Sequence, residues 1–164
     1  MDANYVLQNF ASSLSPYEKE EITKYSQIYY VSDIYHKLLA RNDSEYDDER
    51  GDYLVVKNDH IRYRYEALEM LGRGSFGQVK ETLNSHLLIF NFKVLKVFDH
   101  KRKEYAAVKV IRSPKKFHYQ AKIEIRVLRY MMENYGADYN VIGLRDYFLF
   151  RNHVVIKKSL ISIE

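Results

Sequence analysis

The chain has 164 residues, 46% hydrophobic and 29% charged, enough for one domain with a core and too apolar for a disordered polypeptide. Its formal charge of +4 comes from scattered basic residues; Lys101-Arg102-Lys103 and Lys115-Lys116 read as solvated turns before nucleic-acid or nuclear-import patches. With no cysteine there is neither a disulfide framework nor a thiolate metal site.

The six histidines show no i, i+4 pair on a helix, so no metal site is expected. No signal peptide opens the chain, and no apolar run approaches the roughly 20 residues that cross a bilayer. The expectation is a cytoplasmic protein, with the nucleus as a second location, and neither membrane nor nucleic acid as partner. Residues 1–13 carry no clear signal. Ser15-Pro16-Tyr17-Glu18 is a helix start, with Ser15 as N-cap and Glu18 reaching back as a capping box. Ile22, Tyr25 and Ile28 continue an apolar face. The pattern predicts a second small helix near Asp33–Leu39, an acidic turn over Asn42–Asp48 and a strand over Tyr53–Val56. Asp59-His60 reads as a turn, and Ile61–Tyr65 alternates as a strand does.

Three features follow in order between Leu71 and Glu124. Gly72-Arg73-Gly74-Ser75-Phe76-Gly77-Gln78-Val79 is a G-x-G-x-x-G-x-V run, whose glycines let backbone amides approach phosphate oxygens without a Cβ in the way. Phe76 at its tip could shield phosphates from water. Ala107-Val108-Lys109 reads as a strand carrying a cation. From Tyr119 to Asn134 the pattern predicts a helix, with Ala121, Val127, Leu128 and Met131 on the apolar face and Lys122, Arg126, Arg129 and Glu133 on the wet one. Glu124 falls among the apolar residues, so it needs a partner, because stranding a buried charge costs about 3–5 kcal/mol. Lys109 is the natural one. A strand lysine paired to a helix glutamate beneath a glycine loop is the phosphate-holding arrangement of protein kinases. A dinucleotide-binding fold is the rival; it requires a helix directly after the third glycine and an acidic residue about 20 positions on, whereas Gln78-Val79 reads as strand and Asp99 sits in a turn.

A more specific resemblance joins the segments outside this stretch. Asp47-Asp48-Glu49-Arg50-Gly51-Asp52-Tyr53, Lys57-Asn58-Asp59-His60 and Tyr63-Arg64-Tyr65 resemble the segment preceding the kinase domain of dual-specificity tyrosine-phosphorylation-regulated kinases. Ser15–Val31 looks like the accessory region of that family's cytoplasmic branch. The glycine run, Phe117-His118-Tyr119-Gln120-Ala121 leading into Glu124, and Phe150-Arg151-Asn152-His153 are similar too. The resemblance implies an α+β fold, a kinase small lobe of about five antiparallel strands and one main helix over residues 65–156, behind an accessory region over 1–64. It implies transfer of the ATP γ-phosphate, with Mg²⁺, to serine or threonine hydroxyls of protein substrates, and self-phosphorylation on an activation-loop tyrosine during maturation. It places Leu71, Gly72, Ala107 and Val79 or Val94 around the nucleoside, the amides of Gly74, Ser75, Phe76 and Gly77 over the phosphates, and Lys109 on the α- and β-phosphates, held by Glu124.

Two departures stand out. Lys109 follows Gly72 by 37 positions, where the family spacing is nearer 22. Residues 80–94 account for the excess, and removing them joins Val79 to Leu95. A retained intron or gene-model error is one reading, tested by whether splice sites flank these codons; a natural loop insertion is the other. The insertion is expected to leave the glycine loop unpaired at its tip, with the strand restarting near Leu95, and Leu87–Phe90 could add a strand or an exposed apolar patch. After Ile156, residues 157–164 read as an aberrant tail that truncates the domain. The sequence holds no His-Arg-Asp catalytic loop and no Asp-Phe-Gly metal motif, so no turnover by the chain alone is expected. A non-catalytic fragment acting as an interaction module is the alternative function.

Overall fold

The computed structural model describes residues 1–33, 40–74, 92–135 and 143–159. Six strands form one antiparallel sheet in the order β1-β2-β3-β4-β6-β5. They are β1 (His60–Ile61), β2 (Tyr65–Gly74), β3 (Phe92–Asp99), β4 (Glu104–Ile111), β5 (Leu144–Phe150) and β6 (His153–Ser159). Short helices α1 (Ala3–Asn9) and α2 (Pro16–Glu21) precede the sheet, and the long helix α3 (Lys115–Tyr135) packs against β4, β5 and β6. This is the α+β arrangement of a kinase small lobe. Antiparallel pairing of β2 with β3 also disposes of the dinucleotide-binding rival, whose strands run parallel.

The period of β3 explains the two unlike faces of the sheet. Lys93, Leu95, Val97 and Asp99 are buried, while Phe92, Val94, Lys96 and Phe98 alternate with them half-buried. The buried row joins Val108, Val110, Phe148, Phe150 and Val155 in a core completed by Tyr46, Tyr53, Ile61 and Tyr65. The accessory region thus supplies part of the lobe's own core. The other row belongs to the side that α3 covers.

Several local expectations hold. Ser15 Oγ accepts from the Glu18 amide at 3.1 Å while Ser15 N donates to Glu18 Oε2 at 2.8 Å, the reciprocal capping box. Ile22 and Ile28 are buried in a second cluster with Val6, Leu14 and Tyr63. Other expectations are corrected. Residues 1–13 contain α1, capped by Asp2. Tyr53–Val56 is not a strand: it makes one isolated bridge, Asp47 to Tyr53. Its backbone groups are taken elsewhere, the Leu54 amide by Tyr46 O at 2.7 Å and Tyr53 O by Lys93 Nζ at 2.8 Å. Ile61–Tyr65 is a tight hairpin, with Ile61 opposite Tyr65 and positive φ at Arg62 and Tyr63. Tyr63 makes that turn because its ring belongs to the second cluster and its hydroxyl donates to Glu21 Oε2 at 2.9 Å. His60 is accordingly a strand residue. Of the helix expected near Asp33–Leu39, all but Asp33 lies outside the described residues, as does Leu87–Phe90.

Helix α3 starts at Lys115, directly after Pro114, and buries Phe117, Ala121 and Ile125. Val127 is half exposed, against expectation. At 100° per residue it lies about 240° round from Ala121, whereas Ile125 lies within about 40°. The end of the sheet also differs from its expected limit: β6 continues through Lys157 and Lys158 to Ser159, paired with β4. Lys157 is buried yet compensated, with Nζ 2.7 Å from Asp99 Oδ2 and 2.9 Å from Glu104 Oε1.

A two-residue turn, Arg151-Asn152, with φ of 46° and 61°, closes the β5–β6 hairpin in the left-handed conformation such turns favour. Arg151 is buried, and its guanidinium reaches Glu18 at 3.0 Å, Glu21 at 2.8 Å and the Tyr53 hydroxyl at 3.1 Å, lying 3.5 Å over the Tyr46 ring. His153 Nε2 meets Asp47 Oδ1 at 2.6 Å. Gly51, at φ +76°, lies against Ser113 and Pro114, where a Cβ would come within 2.7 Å of Ser113 Oγ. The acidic segment and the Phe-Arg-Asn-His turn are therefore two halves of one docking contact. Arg151→Met strands two buried carboxylates and is expected to cost about 3–5 kcal/mol in urea unfolding. Arg129→Met, on the exposed side of α3, serves as control; equal midpoints for the two variants would contradict this account.

Candidate functional site

The site forms on the α3 side of the sheet through strand register. Gly72 of β2 lies opposite Val94 of β3, and Val94 opposite Lys109 of β4. Directly opposed residues share a face, so these three line up across three strands. Gly74 pairs with Phe92, and Ala107 with Lys96, in neighbouring rows. A Cβ built on Gly72 meets nothing within 4 Å, so its backbone lies open. Leu71 sits at the irregularity between Met70 and Gly72 and is half exposed. Ser75, Phe76, Gly77 and Val79 lie outside the described residues.

Glu124 reaches this face from α3. Its Oε2 accepts from Lys109 Nζ at 2.7 Å. Its Oε1 accepts from Lys158 Nζ at 3.0 Å, so one carboxylate serves two ammonium groups. The electrostatics follow. Burial pushes Glu124 upward, but the Lys109 hydrogen bond and charge, with Lys158 adding to them, outweigh it and hold the carboxyl below its ordinary value. Lys109 is lowered: burial disfavours the ammonium, Glu124 recovers part of that, and Lys158 pushes it further down. The pair is asymmetric because the acid has two cations and Lys109 shares its acid. An ammonium kept partly desolvated near the open backbone of Gly72 is suited to gripping an oxyanion.

Two residues here escaped the sequence reading. Lys158 belongs to the segment read as tail, and Phe92 to the segment read as insertion. The alternation of Phe92, Val94, Lys96 and Phe98 was the available signal that β3 begins before Leu95. It begins at Phe92, so the strand paired to Gly72–Gly74 is made by residues of that segment, and the flank of the glycine loop is not left without a partner. Away from this face, Glu18, Asp59 and His60 bring ligand-type atoms within 4.8 Å of one another. The Arg151 guanidinium, 3.0 Å from Glu18 Oε1 and 3.4 Å from His60 Nε2, already supplies the positive charge there.

No protein-family model matches the chain. Over 162 residues, 96% of its length, it is 41% identical to dual specificity tyrosine-phosphorylation-regulated kinase mbk-2 of Caenorhabditis briggsae. It is 41% identical over 159 residues, 94% of its length, to the putative dual specificity tyrosine-phosphorylation-regulated kinase 3 homolog of Drosophila melanogaster. It is 38% identical over 168 residues, 99% of its length, to dual specificity tyrosine-phosphorylation-regulated kinase 4 of Homo sapiens. The chain belongs to this kinase family. It spans 18%, 17% and 29% of those three relatives respectively. The docking of the acidic segment on the Phe-Arg-Asn-His turn thus lies in a region shared with dual specificity tyrosine-phosphorylation-regulated kinases. Among the described residues no helix is long and apolar enough to cross a membrane.

Glu124→Gln keeps the shape but leaves Lys109 and Lys158 without their carboxylate. The expected loss is about 2–3 kcal/mol at neutral pH, less than for a fully buried pair. Because the folded carboxyl lies below its ordinary 4.5, the stability it contributes is present above that value and is lost as pH falls through the depressed one. Urea midpoints of wild type and Glu124→Gln should therefore converge in acid; a gap unchanged down to about pH 3 would contradict the assignment.

Proposed function

We propose that this chain is the phosphate-anchoring part of an ATP-dependent, dual-specificity protein kinase that modifies serine and threonine residues of protein substrates and a tyrosine of its own, in the cytoplasm or the nucleus. One observation carries the reading: the Lys109–Glu124 contact at 2.7 Å on the face that Gly72 leaves open. Lys109 would hold phosphate oxygens, with Glu124 fixing its Nζ. Val94, Ala107 and Leu71 would bound the nucleoside end. When bound, ATP supplies the phosphoryl group and Mg²⁺ neutralises its charge. The chain's own residues bind and orient; a catalytic base and metal ligands would come from the kinase motifs this sequence does not contain.

The chain's residues fit that ligand at Lys109 and Gly72 and fit it less well at Gly74, where the Phe92 ring crowds the strand. The decisive titration therefore uses the form lacking residues 80–94. Magnesium-ATP is expected to bind this form, and Lys109→Ala in the same background to weaken binding at least about tenfold. A folded shortened form that binds no nucleotide would transfer the chain to the second reading, an interaction module. Ile123, Val127 and Tyr130, half exposed along α3, favour that alternative as a contact surface.

A further inference from the structure

The register that assembles the site also seats an aromatic ring in it. Gly72 pairs with Val94 and Gly74 with Phe92. Residues 80–94 make a shift of fifteen positions, which carries Val79 to Val94, Gln78 to Lys93 and Gly77 to Phe92. The strand opposite Gly72–Gly74 therefore presents phenylalanine where an uninterrupted chain would present the third glycine of its motif. The centroid of that ring lies 3.8 Å from Lys109 Nζ. A Cβ on Gly74 would come within 2.3 Å of its Cζ. The ring also packs against the cluster of Ile111, Phe117 and Ala121. It thus fills the gap between the glycine strand and the ammonium, with its π face toward the charge, an attractive contact for a desolvated cation.

We propose that Phe92 decides how well this site accepts a nucleoside triphosphate: its ring stands where phosphate oxygens would meet Lys109, and it weakens binding there. The proposal rests on the nucleotide reading above. A phosphate group and the ring compete for the same ammonium and the same volume, and the ring is tethered to the sheet. Phe92→Gly returns the motif's glycine and opens the gap. Phe92→Leu removes the π face and keeps most of the bulk, so it separates occupancy of space from attraction to the charge.

The test titrates a fluorescent ATP analogue with magnesium into the full chain, Phe92→Gly, Phe92→Leu and the form lacking residues 80–94, each first shown to melt cooperatively. The full chain and Phe92→Leu are expected to bind at least about tenfold more weakly than Phe92→Gly. Equal affinity of the full chain and Phe92→Gly, with the shortened form binding, overturns the role of Phe92 and leaves the nucleotide reading standing. Failure of every form to bind overturns both. Tight binding by Phe92→Leu shows that bulk is not what excludes the ligand, and overturns the steric part. A readout free of nucleotide and of any variant is the NMR shift of the Lys109 ε-methylene protons. Ring current moves them upfield in the full chain if the ring lies over the ammonium; ordinary lysine shifts there overturn the proposal directly.

Discussion

A carboxylate on a helix shared by two lysines of a sheet is the constraint on which the site depends. Glu124 fixes how α3 lies against β4 and β6, because its two oxygens point to Lys109 and Lys158 on adjacent strands. These two contacts add to the packing of Phe117, Ala121 and Ile125 in fixing the helix on the sheet. The same arrangement partly desolvates Lys109 while setting its amino group against the Glu124 carboxylate. Structure and candidate chemistry therefore share one group, and shifting α3 would change both.

The second organising contact is the buried guanidinium of Arg151. It sits between two carboxylates of α2 and the rings of Tyr46 and Tyr53, far from them in sequence. A guanidinium suits this position because it stays charged, forms a planar fork and stacks on aromatic faces. The accessory region is accordingly not an appendage: its tyrosines fill the lobe's core, and its acids satisfy a hairpin that would otherwise bury an unpaired cation. The sheet's two faces divide the labour, one closed by the accessory region and the other facing α3 and the candidate site.

Phe92 shows how one side chain can fill a site without breaking a fold. The sheet asks of a strand residue only that it pair its backbone and fit its face. Phe92-Lys93-Val94 meets both demands: Lys93 finds Tyr53 O, Val94 lies between Gly72 and Lys109, and Phe92 finds the ammonium. The side chain opposite Gly74 on the neighbouring strand is accordingly a phenylalanine.

Features written in near neighbours were legible in the sequence alone. The Ser15–Glu18 capping box, the helix carrying Glu124 and the strand carrying Lys109 rest on hydrogen bonds and periodicities spanning a few residues, and the lysine–glutamate pairing follows from the cost of a lone buried charge. Tertiary structure decided the rest, because the deciding partner lies far along the chain. Tyr63 becomes a turn residue because Glu21 and the cluster around Ile22 draw it in. Lys157 and Lys158 continue a strand because Asp99, Glu104 and Glu124 wait for them. The alternation through Phe92 allowed the longer strand, but only the backbone that Gly72 and Gly74 pair with decided that β3 begins there and not at Leu95.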